Sequence, residues 1–193
     1  NVGQAIAGHM TLLGHEVRLY SRWERDFEAI TSTGGIELSG DVEGRAAKPL
    51  LTTDLVTAVR GADTIIVAAP AFAHAYFSEQ LAALLEPGQL VVFQPGVLGS
   101  SLELARHFAL AQRRPCLIAE TATSLYTCRL RGPAKVFIGA IKQAVPLATI
   151  PHAACQEALA RLSPYFGNRY VDGTDTLSVG LGNCNAIYHV PPA

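Results

Sequence analysis

Two asparagines and a histidine stand close together among apolar neighbours in Asn183-Cys-Asn-Ala-Ile-Tyr-His189, and the stretch stops at Pro191-Pro192. The pattern predicts a helix over 175–189. Residues four apart share a helix face, so Asn185 and His189 project together, and Gly182 leaves room on that face for a ligand or another backbone. An imidazole titrates near neutral pH, so it can give a proton to a carbonyl or imine as that group is reduced and take it back in reverse. Asn185 carries both a donor and an acceptor and could orient a substrate or an amide. Asn183 lies roughly 160° away round such a helix, which suits a structural role. A plainer role for His189 also fits its position: bonding the last helix carbonyls before Pro191.

The other end of the chain carries half of a recognisable motif. Asn1-Val-Gly-Gln-Ala-Ile-Ala-Gly8 is already in helix register. A dinucleotide-binding domain of Rossmann type begins with a strand, then G-x-G-x-x-G, then a helix. Gly3 fits the third glycine, which places the first strand and the first two glycines before Asn1. Asn1, Val2 and Gly3 would then open a helix whose N-terminus faces a pyrophosphate. Gly3 also reads simply as a helix-terminal glycine. The next strand ends at Tyr20-Ser21-Arg22, about 20 residues on, where such a site meets the adenosine ribose. A hydroxyl and a guanidinium there, with Arg25 nearby, suit a 2′-phosphate, so NADP(H) is favoured and NAD(H) is possible. Arg22 as a solvated surface charge is the other reading.

These residues need a scaffold, and the chain alternates helix and strand. A helix is expected over 1–14, closed by Gly14, then a strand at Glu16–Tyr20 and a charged helix at 24–32 ending at Gly34-Gly35. Ile36–Leu38 and a piece around 45–52 read as an antiparallel hairpin beside the main sheet. Asp54 is placed to cap a helix through Arg60. Thr64–Ala69 and Gln89–Phe93 are unbroken apolar strands around a helix at 72–85, the mark of a parallel sheet covered on both faces. A helix at 100–112 leads into the strand Cys116–Glu120. Two twisted strands fill 123–142, and a helix spans 152–165. The fold class is therefore α/β, a doubly wound, mostly parallel sheet without its first strand in this chain. Residues 1–174 form the nucleotide-binding portion, and 175–193 lead into a second, helical domain.

In open parallel sheets the ligand lies at the carboxyl ends of the strands. Ala69-Pro70 and Pro95-Gly96 sit there and allow close backbone approach. Thr121 or Thr123, leaving the last strand, could bond a carboxylate. Arg129 could pair with a substrate carboxylate or with Glu120. His74 reads as a surface or packing histidine. Cys128 and Cys184 read as small packing residues.

Composition narrows the class. With 193 residues, 49% hydrophobic and a formal net charge of -1, the chain supports one well-buried domain and offers no electrostatic attraction to nucleic acid or an anionic membrane. No apolar run approaches the roughly 20 residues of a membrane span. The four cysteines (Cys116, Cys128, Cys155 and Cys184) form no C-x-x-C pair and read as free thiols of a cytoplasmic protein, with no metal site expected.

Taken together, the chain resembles the opine dehydrogenase family of the octopine/nopaline type. The resemblance runs through Asn1-Val-Gly3, Ala69-Pro70, Pro95-Gly96 and Glu120-Thr-Ala-Thr-Ser-Leu-Tyr-Thr-Cys-Arg129. It continues through Gly139-Ala-Ile-Lys142, Leu147-Ala-Thr-Ile-Pro151 and the Asn183–His189 block. It implies a Rossmann domain followed by a helical substrate domain, a possible homodimer, and the joining of an α-keto acid to an amino-acid-type amine. The imine so formed is reduced by NAD(P)H. The family's catalytic histidine maps onto His189, and its carboxylate partner belongs to the helical domain, so the 193 residues alone are expected to be poorly active. Ser21 and Arg22 depart from the acidic residue of NADH-using members. Two alternatives stand: a ketopantoate-reductase-like 2-keto acid reductase, which would need a lysine after Lys142, and a non-catalytic NADP-sensing domain.

Overall fold

The computed structural model describes residues 1–183, which places Cys184, Asn185 and His189 outside the described residues. The chain divides into two compact units, Asn1–Ala62 with Leu125–Lys142, and Asp63–Ser124 with the residues from Gln143 on.

In the first unit, α1 (Val2–Leu12) is followed by the short strand β1 (Arg18–Tyr20), a 3-10 turn, and α2 (Glu28–Thr33). The strands β2 (Gly35–Gly40), β3 (Gly44–Ala47) and β4 (Leu50–Thr52) follow, then α3 (Leu55–Val59). The expected hairpin is β2 with β3, but the second piece divides, and β4 leaves it to pair in parallel with β1. Asp54 caps α3 as expected, its carboxylate accepting from the amides of Val56 and Thr57 at 3.0 and 3.1 Å. At the other end of α3, Arg18 donates to the carbonyls of Thr57 and Arg60 at 3.1 and 2.6 Å, offsetting the negative end of the helix.

The twisted pair, β8 (Tyr126–Gly132) and β9 (Lys135–Ile141), joins that hairpin in one four-stranded sheet of order β3-β2-β9-β8. The parallel β2–β9 pairing is marked by an ion pair of 3.1 Å between Glu37 and Lys135. Helix α1 lays Ala5, Ile6 and Met10 into the core of this unit.

The second unit is built on a five-stranded sheet of order β11-β10-β7-β6-β5. Strands β5 (Thr64–Val67), β6 (Leu90–Phe93) and β7 (Leu117–Thr121) are parallel, with α4 (His74–Leu84) and α5 (Ser100–Leu110) as the crossovers. All four residues of β6 are buried, and an apolar side chain so buried contributes about 1.5–3 kcal/mol.

Two strands there are not legible as strands in the sequence: β10 (Val145–Ile150), antiparallel to β7, and β11 (Tyr170–Asp172), parallel to β10. Pro146 argues against a strand because it lacks an amide donor. It is tolerated because only its carbonyl is used, accepting from Ala122 at 2.9 Å. Helix α6 (Cys155–Phe166) buries Ala158, Leu162 and Phe166, and α7 (Thr176–Leu181) follows. Of the predicted helix over 175–189 the described residues show Thr176–Leu181, with Gly182 as its C-cap, and the part from 184 on lies outside the described residues.

Candidate functional site

The parallel strands β5, β6 and β7 deliver Ala69-Pro70, Pro95-Gly96 and Thr121–Thr123 to one end of the sheet, the carboxyl end. Gly96 is fixed there from two sides. Its amide donates to the Thr121 carbonyl at 2.8 Å, and a Cβ at this position would lie 2.4 Å from the Cβ of Glu120. Only glycine lets the loop after β6 pass this close to β7.

Behind that loop lies a buried polar layer. Glu120 is fully buried, and its Oε2 accepts from the amide of Ser101, near the start of α5, at 2.9 Å. Its Oε1 has no hydrogen-bond partner among the described residues, and the Ser101 hydroxyl stands beside the carboxyl group. Burial pushes the Glu120 carboxyl above its usual range, opposed by the Ser101 hydrogen bonds. The folded protein therefore holds this proton more tightly than the unfolded chain does. The resulting stability is present below the ordinary value of 4.5 and is lost as pH rises through the folded pKa. Glu120→Gln removes the charge, and its amide nitrogen can donate to the Ser101 hydroxyl. The melting temperature of that variant relative to wild type should rise from acid to neutral pH, and differential scanning calorimetry across that range checks it.

Arg129 is exposed on β8, and the Glu120 carboxyl group accepts from the amide of Ser101. The threonines divide in role. Thr121 is buried, and its hydroxyl donates to the Thr123 carbonyl at 2.9 Å, so it shapes the loop and is not free to donate to a substrate carboxylate. Thr123 is half-buried. His74, read as a surface or packing residue, is buried with both ring nitrogens hydrogen-bonded. Cys128 is half-buried, whereas Cys116 and Cys155 are buried.

In the first unit, Asn1, Val2 and Gly3 open α1. Its first turn carries no acidic residue and no side-chain cap, so none of the helix's own carboxylates offsets its positive end. That environment fits a phosphate group. The close approach of α1 to the sheet comes at Gly8, where a Cβ would lie 3.1 Å from Leu38. A helix followed by a strand that returns beside it puts the helix N-terminus and the strand's carboxyl end at the same end, where Ser21 and Arg22 lie.

The Ser21 hydroxyl donates to the Asp26 carboxylate. The guanidinium groups of Arg22 and Arg25 lie 5.4 and 5.3 Å from the centre of the exposed Trp23 ring. Asp26 is the residue that spacing alone missed, because it reaches back to the strand tip from a 3-10 turn. The tip thus carries the cations Arg22 and Arg25, which suit a 2′-phosphate, and the carboxylates of Glu24 and Asp26, of which Asp26, held by Ser21, suits a ribose hydroxyl. Arg22→Ala with Arg25→Ala should raise the KM for NADPH about tenfold or more while moving that for NADH little, given the strength of hydrogen bonds to charged groups. Steady-state kinetics with both coenzymes checks this.

Among the described residues no cluster of His, Cys, Asp or Glu could hold a metal ion, and no helix is long and apolar enough to cross a membrane.

Parallel strands joined by helices, with small and proline residues at the strand ends, define a Rossmann-type α/β fold. The chain belongs to the ketopantoate reductase PanE/ApbA family, whose family model matches residues 1–143. It is 32% identical over 193 residues to an opine dehydrogenase of Arthrobacter sp. (strain 1C), covering 100% of this chain and 54% of that enzyme. Octopine dehydrogenase in its form with NADH and L-arginine superposes with a TM-score of 0.82 at 20% identity, covering 97% of this chain and 50% of that one. Yersinopine dehydrogenase with NADP+ bound gives a TM-score of 0.74 at 17% identity, covering 97% of this chain and 49% of that one. The expected resemblance to opine dehydrogenases is borne out, and the chain spans about half the length of these relatives.

Proposed function

We propose that the full-length protein is an opine-type dehydrogenase. An α-keto acid and the amino group of an amino acid lose water to form an imine. Hydride from NAD(P)H reduces the C=N bond, and a proton goes to nitrogen, leaving a secondary amine and NAD(P)+. The observation that carries this reading is the 32% identity to an opine dehydrogenase along the whole chain, Asn183–His189 included.

In this reading Asn1, Val2 and Gly3 receive the pyrophosphate at the start of α1. Ser21 and Arg22, with Asp26, meet the adenosine ribose. Ala69, Pro70, Pro95 and Gly96 line the strand ends against the coenzyme. The two guanidinium groups at the β1 tip favour NADP(H), and Asp26 keeps NAD(H) in reach. Thr123 and Asn185 orient the substrate, and His189 supplies the proton. The described cysteines are free thiols, in keeping with a reducing cytoplasm. A second reading, reduction of a 2-keto acid with no amine, is favoured by the name of the matching family.

Oxidation of NADPH and of NADH by the full-length protein, with an α-keto acid and with or without amino acids, separates the two. Turnover that needs both substrates supports imine reduction. Turnover with the keto acid alone supports the simple reductase.

A further inference from the structure

The loops leaving β5 and β6 are joined beneath their surface by one side chain. His74 opens α4 and is 4% exposed. Its Nε2 lies 3.0 Å from the Ala69 carbonyl oxygen, at the end of β5. Its Nδ1 lies 2.7 Å from the Ser100 hydroxyl, and that hydroxyl donates to the Gly96 carbonyl at 2.6 Å. A carbonyl can only accept, so Nε2 carries the hydrogen and Nδ1 is the acceptor in the neutral ring. The single hydroxyl hydrogen of Ser100 is then shared between Nδ1 and the Gly96 carbonyl. Burial favours this neutral form, since it holds the imidazole below its ordinary pKa.

The β6 loop needs such a tie. Val97, next to Gly96, has φ of 28°, a conformation that a β-branched residue adopts at a cost and keeps only where its surroundings enforce it. The Ser100 hydroxyl is also 3.4 Å from the Val97 carbonyl. Meanwhile Pro70, Val97 and Leu98 remain exposed, so the two loops are held from within and open outward.

We propose that His74 is a positioning residue: by bonding Ala69 directly and Gly96 through Ser100, it fixes the two strand-end loops in the shape that receives the dinucleotide. The role goes beyond the coenzyme-binding residues assigned above but rests on that reading of the strand ends. His74 does not touch the reacting atoms. It acts through backbone it does not belong to.

The test uses the full-length protein with His74→Phe, which keeps a ring against Phe93 but loses both polar ties, and His74→Asn, which can still reach Ser100. NADPH and NADH affinities are measured by fluorescence titration, and amide hydrogen exchange is followed over 68–74 and 94–101. His74→Phe should weaken dinucleotide binding about tenfold, as expected for a lost buried hydrogen bond. It should also raise the coenzyme KM more than it lowers kcat, and speed exchange in those two segments. His74→Asn should recover most of the affinity and the protection in 94–101. Wild-type affinity and exchange in His74→Phe would overturn the proposal. So would an Asn variant as impaired as Phe with protection lost throughout the unit, which is the signature of mere packing. If the wild-type protein binds neither dinucleotide, the coenzyme reading fails separately. Exchange then decides the tie: faster exchange confined to the two segments upholds it, and unchanged exchange rejects it.

Discussion

Replacing His189 with alanine or glutamine in the full-length protein is expected to lower kcat for imine reduction by about 10²–10⁴-fold, the usual contribution of a positioned general acid. Coenzyme affinity should change little, because the role proposed for His189 is proton transfer and not dinucleotide binding. The pH profile is the more diagnostic readout. A histidine acid must be protonated to act, so the rate of reduction should fall as pH rises through its pKa, near 6.5 in the absence of perturbation. That limb should vanish in His189→Gln. If His189 only bonds the last carbonyls of a helix, the same substitutions cost about 0.3–1 kcal/mol of stability and leave the pH profile unchanged. Stopped-flow and steady-state measurements across pH distinguish the two outcomes.

The second large effect is structural and sits at Gly96. An added Cβ would meet the Glu120 Cβ at 2.4 Å, a contact between backbone-anchored atoms that no side-chain rotation relieves. Gly96→Ala should destabilise the protein by about 1–3 kcal/mol through overpacking. It should also weaken coenzyme binding, because relief requires the loop after β6 to move off β7. Gly14→Ala is the control. Gly14 has φ of +87° with nothing near its would-be Cβ, so it should cost about 1–2 kcal/mol of backbone strain and leave coenzyme binding unchanged. Urea unfolding and fluorescence titration of both variants give the comparison.

The parts of the fold that local chemistry dictates were legible from residues alone. The unbroken apolar runs of β5 and β6, the capping carboxylate of Asp54 and the glycine after α1 each announce themselves within a few positions. What escaped depends on distant partners. Strand β10 is concealed by Pro146, whose missing amide matters less because its carbonyl does the pairing. β11 is three residues long, too short to show a period. The joining of β2 to β9 links Glu37 to Lys135 across about half of the chain, and no local pattern encodes it.

The site divides along the same line. The places of Gly96 and Pro70 at strand ends are legible because the apolar runs before them mark where β6 and β5 stop. Asp26 and the buried His74 are not, since each reaches its partner only after a turn has formed. The hydrogen bond of the Thr121 hydroxyl to the Thr123 carbonyl is not legible either, because only the folded loop brings that carbonyl within reach.

The most direct test of the account follows the hydride. The full-length protein is supplied with NADPH deuterated at the transferred position of the nicotinamide, an α-keto acid and a mixture of amino acids, and the products are read by mass spectrometry. Imine reduction gives a secondary amine joining the two substrates, with one deuterium on the carbon that was the keto carbonyl. A 2-hydroxy acid carrying the deuterium, with no amine incorporated, would contradict it.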